Sequence, residues 1–252
     1  MLKENIRREK CPVCGSSDCI RYNKEVRENP RKTSGFWECQ ECKFVYQMDF
    51  PRYNQMTNLL NGVSEPFDIN TKDRKIWRCR NEFEIQRPGF KRRRDKATKF
   101  VPAPAVVVEV GFGGGNVLCL LKEAGYEAIG IEIAERYVLH AHALGFAAYW
   151  ADITRGTPEE VKGKADLVIG TEMMEHVESP VEFMKGAVHL LKPGGRVAFT
   201  FATPEQRSTL SYGEGQYWRP SAVIELFKRA GLDIEDIGVE KMLMFVWGKI
   251  SK

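Results

Sequence analysis

Nowhere is this 252-residue chain apolar for long. No hydrophobic run approaches the roughly 20 residues that a membrane-crossing helix needs, which excludes a helical span. The first ten residues, MLKENIRREK, are charged rather than apolar and do not read as a secretory signal. Internal repeats and low-complexity segments are also missing. So is a G-x-x-x-x-G-K-S/T loop, which argues against nucleotide hydrolysis. What remains is a chain of ordinary globular composition, 43% hydrophobic and 29% charged, long enough for one full α/β core and something smaller.

Seven cysteines without a secretion signal point to a reducing cytoplasm, with thiols serving as metal ligands rather than disulfides. Four of them form two matched pairs, Cys11/Cys14 in CPVCGSSDC and Cys39/Cys42 in WECQECKFVY. Two residues between cysteines let one tight turn aim both sulfurs at the same ion, and two such turns complete a tetrahedral zinc site. The 24 residues between the pairs make a long loop. That length is penalised weakly, at about 0.6 kcal/mol per doubling. Gly15 after the first pair and the aromatic strand after the second fit a zinc ribbon, with Cys19 as a worse-spaced substitute ligand. Four protein ligands leave no open position, so the expected metal is structural.

Charge is unevenly placed. Residues 1–104 carry 23 Lys and Arg against 14 Asp and Glu, a net of +9, whereas residues 105–252 carry 15 against 20, a net of −5. The split, with Pro102 and Pro104 at the join, suggests two regions with different jobs or an anionic partner held near the front. The front divides into a zinc-ribbon segment (1–52) and a helical, basic connector (53–104), ahead of an α/β domain (105–252). In the connector, NTKDRKIWRCRNEFEIQ fits a helix burying Ile76, Trp77, Phe83 and Cys79. The following basic run, Lys91 to Arg94, reads either as a solvated helix end or as a phosphate clamp.

From Ala105 onward, strands fit AVVVEV, EAIGIE, AAYWA, ADLVIG and RVAFTF, with helical patterns between them. Such alternation implies a parallel sheet covered on both faces. In SPVEFMKGAVHLLKPGG, Ser179 is the expected N-cap, Pro180 the first helical residue and Glu182 the closing member of a capping box; Lys192 and Pro193-Gly194-Gly195 end the helix. The glycine turn after the first strand, Gly111, Gly113 and Gly115, is G-x-G-x-G. A dinucleotide fingerprint would place its last glycine on Asn116, which disfavours NAD or FAD. Glu109, two residues ahead of the turn, suits a positively charged ligand better than a pyrophosphate.

From about Val106 to Phe201 the chain resembles the class I S-adenosylmethionine-dependent methyltransferases. VVVEVGFGGGN looks like the family's first motif, YEAIGIEIA its second strand, and ADLVIGTEMMEHV and LLKPGGRVAFT its fourth strand and the turn into the fifth. The resemblance implies a Rossmann-like, doubly wound, mainly parallel seven-stranded sheet. LDIEDIGVEKMLMFVWGKI would supply the last two strands, including an antiparallel insertion. It further implies that the glycine turn packs against the amino-acid part of the cofactor and that Glu132 accepts hydrogen bonds from both ribose hydroxyls. Asp152 would stand beside the adenine amino group, with Ile153 and Thr171 also lining the cofactor.

Since a sulfonium is an activated methyl donor, the enzyme's work is alignment and, for a hydroxyl or acidic carbon, removal of a proton. His176 in EMMEHVES is the leading base, with Glu175 and Glu172 as alternatives; the competing role for His176 is structural. His140 and His142 read as solvent-facing. SYGEGQYWRP after the fifth strand offers Tyr212, Tyr217 and Trp218 either to stack on the acceptor or to pack against the sheet. A small molecule or sugar or glycan precursor is the favoured acceptor. RNA, bound by the basic front half, is the alternative, and a non-catalytic zinc-dependent interaction module the second. No membrane partner is expected, and the sequence carries no signal for oligomeric state.

Overall fold

The computed structural model describes residues 6–22, 26–27, 35–50, 87–205, 210–211, 215–240 and 243–251. The helix expected over Ile76, Trp77, Cys79 and Phe83 lies outside the described residues, as does Tyr212.

The front segment is built of short strands: β1 (Ile6–Arg7), β2 (Cys19–Tyr22), β3 (Val26–Arg27), β4 (Phe36–Cys39), β5 (Val45–Gln47) and β6 (Asp49–Phe50). β2, β4 and β5 form an antiparallel meander in which Cys19 faces Cys39 across the ladder. A helix over residues 87–97, α1, leads to the second half. There follow β7 (Val106–Val110), α2 (Asn116–Glu123), β8 (Glu127–Glu132), α3 (Glu135–Ala143), β9 (Ala147–Trp150) and β10 (Ala165–Gly170). The chain continues through α4 (Pro180–Leu190), β11 (Leu191–Ala202), β12 (Leu210–Ser211), β13 (Gln216–Tyr217), α5 (Pro220–Arg229), β14 (Leu232–Glu240) and β15 (Leu243–Ile250).

Seven strands make one sheet in the order β14-β15-β11-β10-β7-β8-β9. β9, β8, β7, β10 and β11 are parallel, whereas β15 runs antiparallel to both β11 and β14. The valine run of β7 lies mid-sheet, with Val107 and Val108 fully buried, as a strand covered on both faces requires. Successive strands step outward from β7 in one direction and from β10 in the other. The switch point between them opens a crevice outside their carboxyl ends.

Strand positions agree with expectation to within a few residues; the main difference is that β11 begins at Leu191 rather than Arg196. The helix α4 starts at Pro180 as expected, but Ser179 makes no side-chain cap hydrogen bond. With Pro180 at the first position, one amide of the helix start has no N–H to satisfy.

The two halves share a core. β13 pairs antiparallel with β5, so residues 216–217 complete the four-stranded sheet of the cysteine segment, and β12 pairs parallel with β3. Tyr217 and Trp218 are fully buried. Tyr217 packs on Phe36 with ring centroids 5.4 Å apart, and Trp218 sits between Phe44 at 4.4 Å and Phe201 at 5.1 Å. Of the two roles weighed for these aromatics, packing is the one they fill.

The basic run is engaged as well. Arg93 pairs with Glu172 at 2.7 Å, Arg92 and Lys96 with Glu240, and Arg94 donates to the carbonyl of Leu120 at 3.0 Å. Lys99 pairs with Asp236, and Trp247 donates to the carbonyl of Lys96. These contacts fasten α1 to α2, to the loop after β10 and to β14 and β15. Partly exposed pairs contribute only about 0–1 kcal/mol each, so their value is mainly in orientation.

Candidate active site at the sheet switch point

β7 ends in Glu109-Val110, and the chain then turns through glycines. Gly111, Gly113 and Gly115 all have positive φ, at 72°, 51° and 75°, a region where an L side chain costs about 1–2 kcal/mol. A Cβ on Gly113 or Gly115 would meet nothing within 4 Å, so the backbone there faces open space that a ligand can enter. Gly115 serves as N-cap of α2, whose Val117, Leu118, Leu120 and Leu121 are buried. In its first turn the Leu118 N–H bonds back to the Glu109 carboxyl.

Glu132 closes the same rim from β8. Its Oε2 accepts from the Gly113 N–H at 2.9 Å, and its Oε1 from the N–H groups of Ile133 at 2.8 Å and Ala134 at 3.1 Å. Burial raises its pKa, against the opposing pull of those three donors. A carboxylate offers about four acceptor sites, so one direction on Oε2 stays open. Glu109 lies beneath, 2% exposed, and its Oε2 has no hydrogen-bond partner among the described residues. Burial and the neighbouring Glu132 push its pKa up to about 8. A buried carboxyl beside a second acid and an open crevice suits a cationic ligand, and S-adenosylmethionine carries both a sulfonium and an ammonium group.

Asp152 and Ile153 follow β9. Asp152 Oδ1 accepts from the N–H and hydroxyl of Thr154 at 3.0 and 2.7 Å, while Oδ2 pairs with Arg155 at 3.2 Å. The Ile153 side chain is buried in the main core. Thr171 follows β10, and Met173 in the next turn covers Gly111, with its side chain 3.4 Å from where a Cβ would stand. Glu172 has φ 51° and donates its N–H to Thr200 at 2.7 Å. A 3-10 turn, Met174–His176, then presents His176 to solvent and buries Glu175. Of the other histidines, His142 is exposed as expected but bonds the carbonyl of Ala148, whereas His140 is half-buried, which lowers its pKa.

The four cysteines converge at the front. Cys11 and Cys42 have sulfurs 3.6 Å apart, Cys14 and Cys39 3.4 Å, and all four lie within 4.8 Å of one another. A tetrahedral Zn–S distance of about 2.3 Å implies sulfur separations near 3.8 Å, so the cluster has room for an ion and is too wide for disulfides. Cys19 stays outside it, bonded to Tyr46 and the carbonyl of Ser16. The helix α5 holds both knuckles through Ser221 to the Cys42 carbonyl and Arg229 to the Cys14 carbonyl. The sequence pointed to neither Arg8 nor Gln216, two buried polar residues reaching the 3-10 turn, because nothing in their local pattern marks them.

A glycine turn and two buried acids at the switch point of this strand order define an S-adenosylmethionine-dependent methyltransferase of the Rossmann-like kind. Residues 83–235, more than half of the chain, match a family profile described as a methyltransferase domain, and the chain belongs to that family. Among curated relatives, it is 30% identical over 156 residues to the ubiquinone biosynthesis O-methyltransferase of Pseudomonas paraeruginosa, covering 54% of this chain and 67% of that protein. It is 25% identical over 178 residues to the protein of the same name from Cereibacter sphaeroides, covering 63% and 72%. A TehB-like methyltransferase from Corynebacterium glutamicum shares the fold with a TM-score of 0.53 at 14% identity, over 69% of this chain and 97% of that one. An Aquifex aeolicus S-adenosylmethionine-dependent methyltransferase does so with a TM-score of 0.52 at 16% identity, over 77% and 98%. Among the described residues, no helix is long and apolar enough to cross a membrane.

Proposed function

We propose that this protein methylates a small-molecule acceptor in the cytoplasm, and that its four cysteines hold a structural zinc ion. The observation that carries the reading is the joined rim at the switch point, where Glu132 is hydrogen-bonded to Gly113 above the buried Glu109. In this reading the 111–115 turn lies against the amino-acid part of S-adenosylmethionine, Glu132 receives the ribose, Asp152 stands beside the adenine, and Thr171 and the backbone of Ile153 also line the cofactor. The bound cofactor supplies a methyl group already activated as a sulfonium. His176, on the exposed side of its turn, takes the acceptor's proton, with Glu175 beneath it. For a hydroxyl acceptor, replacing His176 by Ala then lowers the rate about 10²–10⁴-fold.

Two acceptor classes fit a small molecule: a quinone precursor, supported by the relatives' names, and a sugar or glycan precursor. RNA is the weaker reading because Arg92, Arg93, Arg94 and Lys96 already have partners within the chain. Purified protein is incubated with methyl-labelled S-adenosylmethionine and an extract from cells lacking it, and the product is fractionated after RNase treatment. Label in RNase-resistant, low-molecular-mass material is the expected result. Label that RNase releases from macromolecules would overturn the acceptor assignment. Metal analysis is expected to give one zinc per chain.

A further inference from the structure

We propose that the cysteine-bearing front segment positions the turn carrying Glu175 and His176, acting through the buried pair Arg8 and Gln216. The proposal rests on the methyl-transfer reading above.

Gln216 belongs to β13 and is fully buried. Its side-chain amide donates to the carbonyl of Met174 at 2.6 Å and to that of Val177 at 2.8 Å. Those two residues bracket Glu175 and His176. Arg8, three residues before Cys11, donates from Nη1 to Gln216 Oε1 at 3.1 Å and from Nη2 to the carbonyl of Glu178. Its guanidinium lies 3.8 Å over the ring of Phe50. Two side chains thus hold the carbonyls at both ends of the 3-10 turn, and neither lies in the large sheet.

Both are placed by the front segment. The Arg8 N–H bonds the carbonyl of Met48, and β13 is fixed by its ladder to β5. Gly215 permits the approach, since a Cβ there would stand 2.2 Å from the Phe50 ring. The turn buries Met174 and Glu175 against the large sheet, and the carbonyls of Met174, Val177 and Glu178 are the groups through which the front segment reaches it. Packing alone would have been served by apolar residues; a buried guanidinium and a carboxamide aimed at three carbonyls specify where the backbone goes. Misplacing a proton acceptor by about 1 Å can cost about 10²-fold in rate.

The test compares Gln216→Leu, Arg8→Met and Arg8→Lys with Ser221→Ala, which breaks a contact to the Cys42 carbonyl and leaves Arg8 and Gln216 in place. Three quantities are read on the full-length chain: the dissociation constant for S-adenosylhomocysteine, amide exchange of the peptide covering 174–178, and the initial rate with labelled S-adenosylmethionine and the low-molecular-mass extract fraction. For Gln216→Leu and Arg8→Met, we expect cofactor-product affinity within about threefold of wild type, exchange at 174–178 faster by about tenfold, and rates lower by about 10²-fold. Arg8→Lys, which keeps a donor for the Glu178 carbonyl, recovers part of the rate, and Ser221→Ala matches wild type. Unchanged exchange, or faster exchange with an unchanged rate, overturns the proposal. If Gln216→Leu fails to fold, the contrast between Arg8→Lys and Arg8→Met decides. A wild-type protein that transfers no label would sink the methyl-transfer reading instead, and the exchange data would then decide alone whether Arg8 and Gln216 hold the turn.

Discussion

The backbone N–H of Gly113 is hydrogen-bonded to Glu132 Oε2 at 2.9 Å, which ties the turn after β7 to the end of β8. Replacing Glu132 by Ala removes a charged acceptor and leaves three N–H groups without their partner. A hydrogen bond to a charged group is worth roughly 1.5–3 kcal/mol, so affinity for S-adenosylhomocysteine should fall about 10–100-fold. Gly113→Val should weaken binding too, since it strains φ 51° and fills the space over the turn. Titration calorimetry measures both; undiminished binding by either variant would contradict the assigned cradle.

In the proposed site, Glu109 should make cofactor binding pH-dependent. Its carboxyl titrates near 8 in the folded chain against an ordinary 4.5, because it is buried and close to Glu132. The folded state therefore holds this proton more tightly, and the group's stabilising contribution declines as pH rises from about 4.5 through 8. A cation in the crevice favours the ionised form. S-adenosylmethionine should accordingly bind more tightly as pH climbs from 6 to 8, releasing a proton. Calorimetry in buffers of different ionisation enthalpy reads that release, and Glu109→Gln should abolish it.

The cysteine cluster should behave as one unit. Cys39→Ser removes a fully buried thiol of the cluster, and the metal content should drop to near zero. A loss of several kcal/mol corresponds to a Tm lower by roughly 10 °C for a chain of this size. Cys19→Ser should retain the metal, because its sulfur lies outside the cluster. Equal metal loss in both variants would show that the ligand set is wrong.

Trp218 joins the two halves, lying between Phe44 and Phe201. Trp218→Ala should destabilise the chain by about 3–5 kcal/mol, the usual cost of emptying a buried aromatic site. Urea denaturation followed by circular dichroism would show it. A change below about 1 kcal/mol would mean that the halves do not depend on this contact.

Much of the large sheet was legible because its signals are local. The valine run of β7, the glycines that follow and the acid closing β8 are each dictated by their neighbours in the chain, and they meet at the carboxyl ends of β7 and β8. The Cys-x-x-Cys pairs were legible for the same reason, since each knuckle is a single turn. Tyr217, Trp218 and the basic run from Lys91 to Arg94 were ambiguous. A stretch of aromatics or cations reads the same whether it faces a ligand or another part of the chain, and here the partners of Arg93 and Trp218 lie 79 and 17 residues away, at Glu172 and Phe201.

By itself the sequence determined the class of the fold, the glycine turn, the acids Glu109 and Glu132 beside it and the four converging thiols, because short-range backbone geometry and residue type suffice for each. Only the tertiary structure decided that β13 completes the cysteine segment's sheet, and that Arg8 and Gln216 grip the turn of His176 from 168 and 40 residues away. Those contacts follow from how two separately encoded layers meet, and a buried hydrogen bond between distant segments leaves no periodicity in either one.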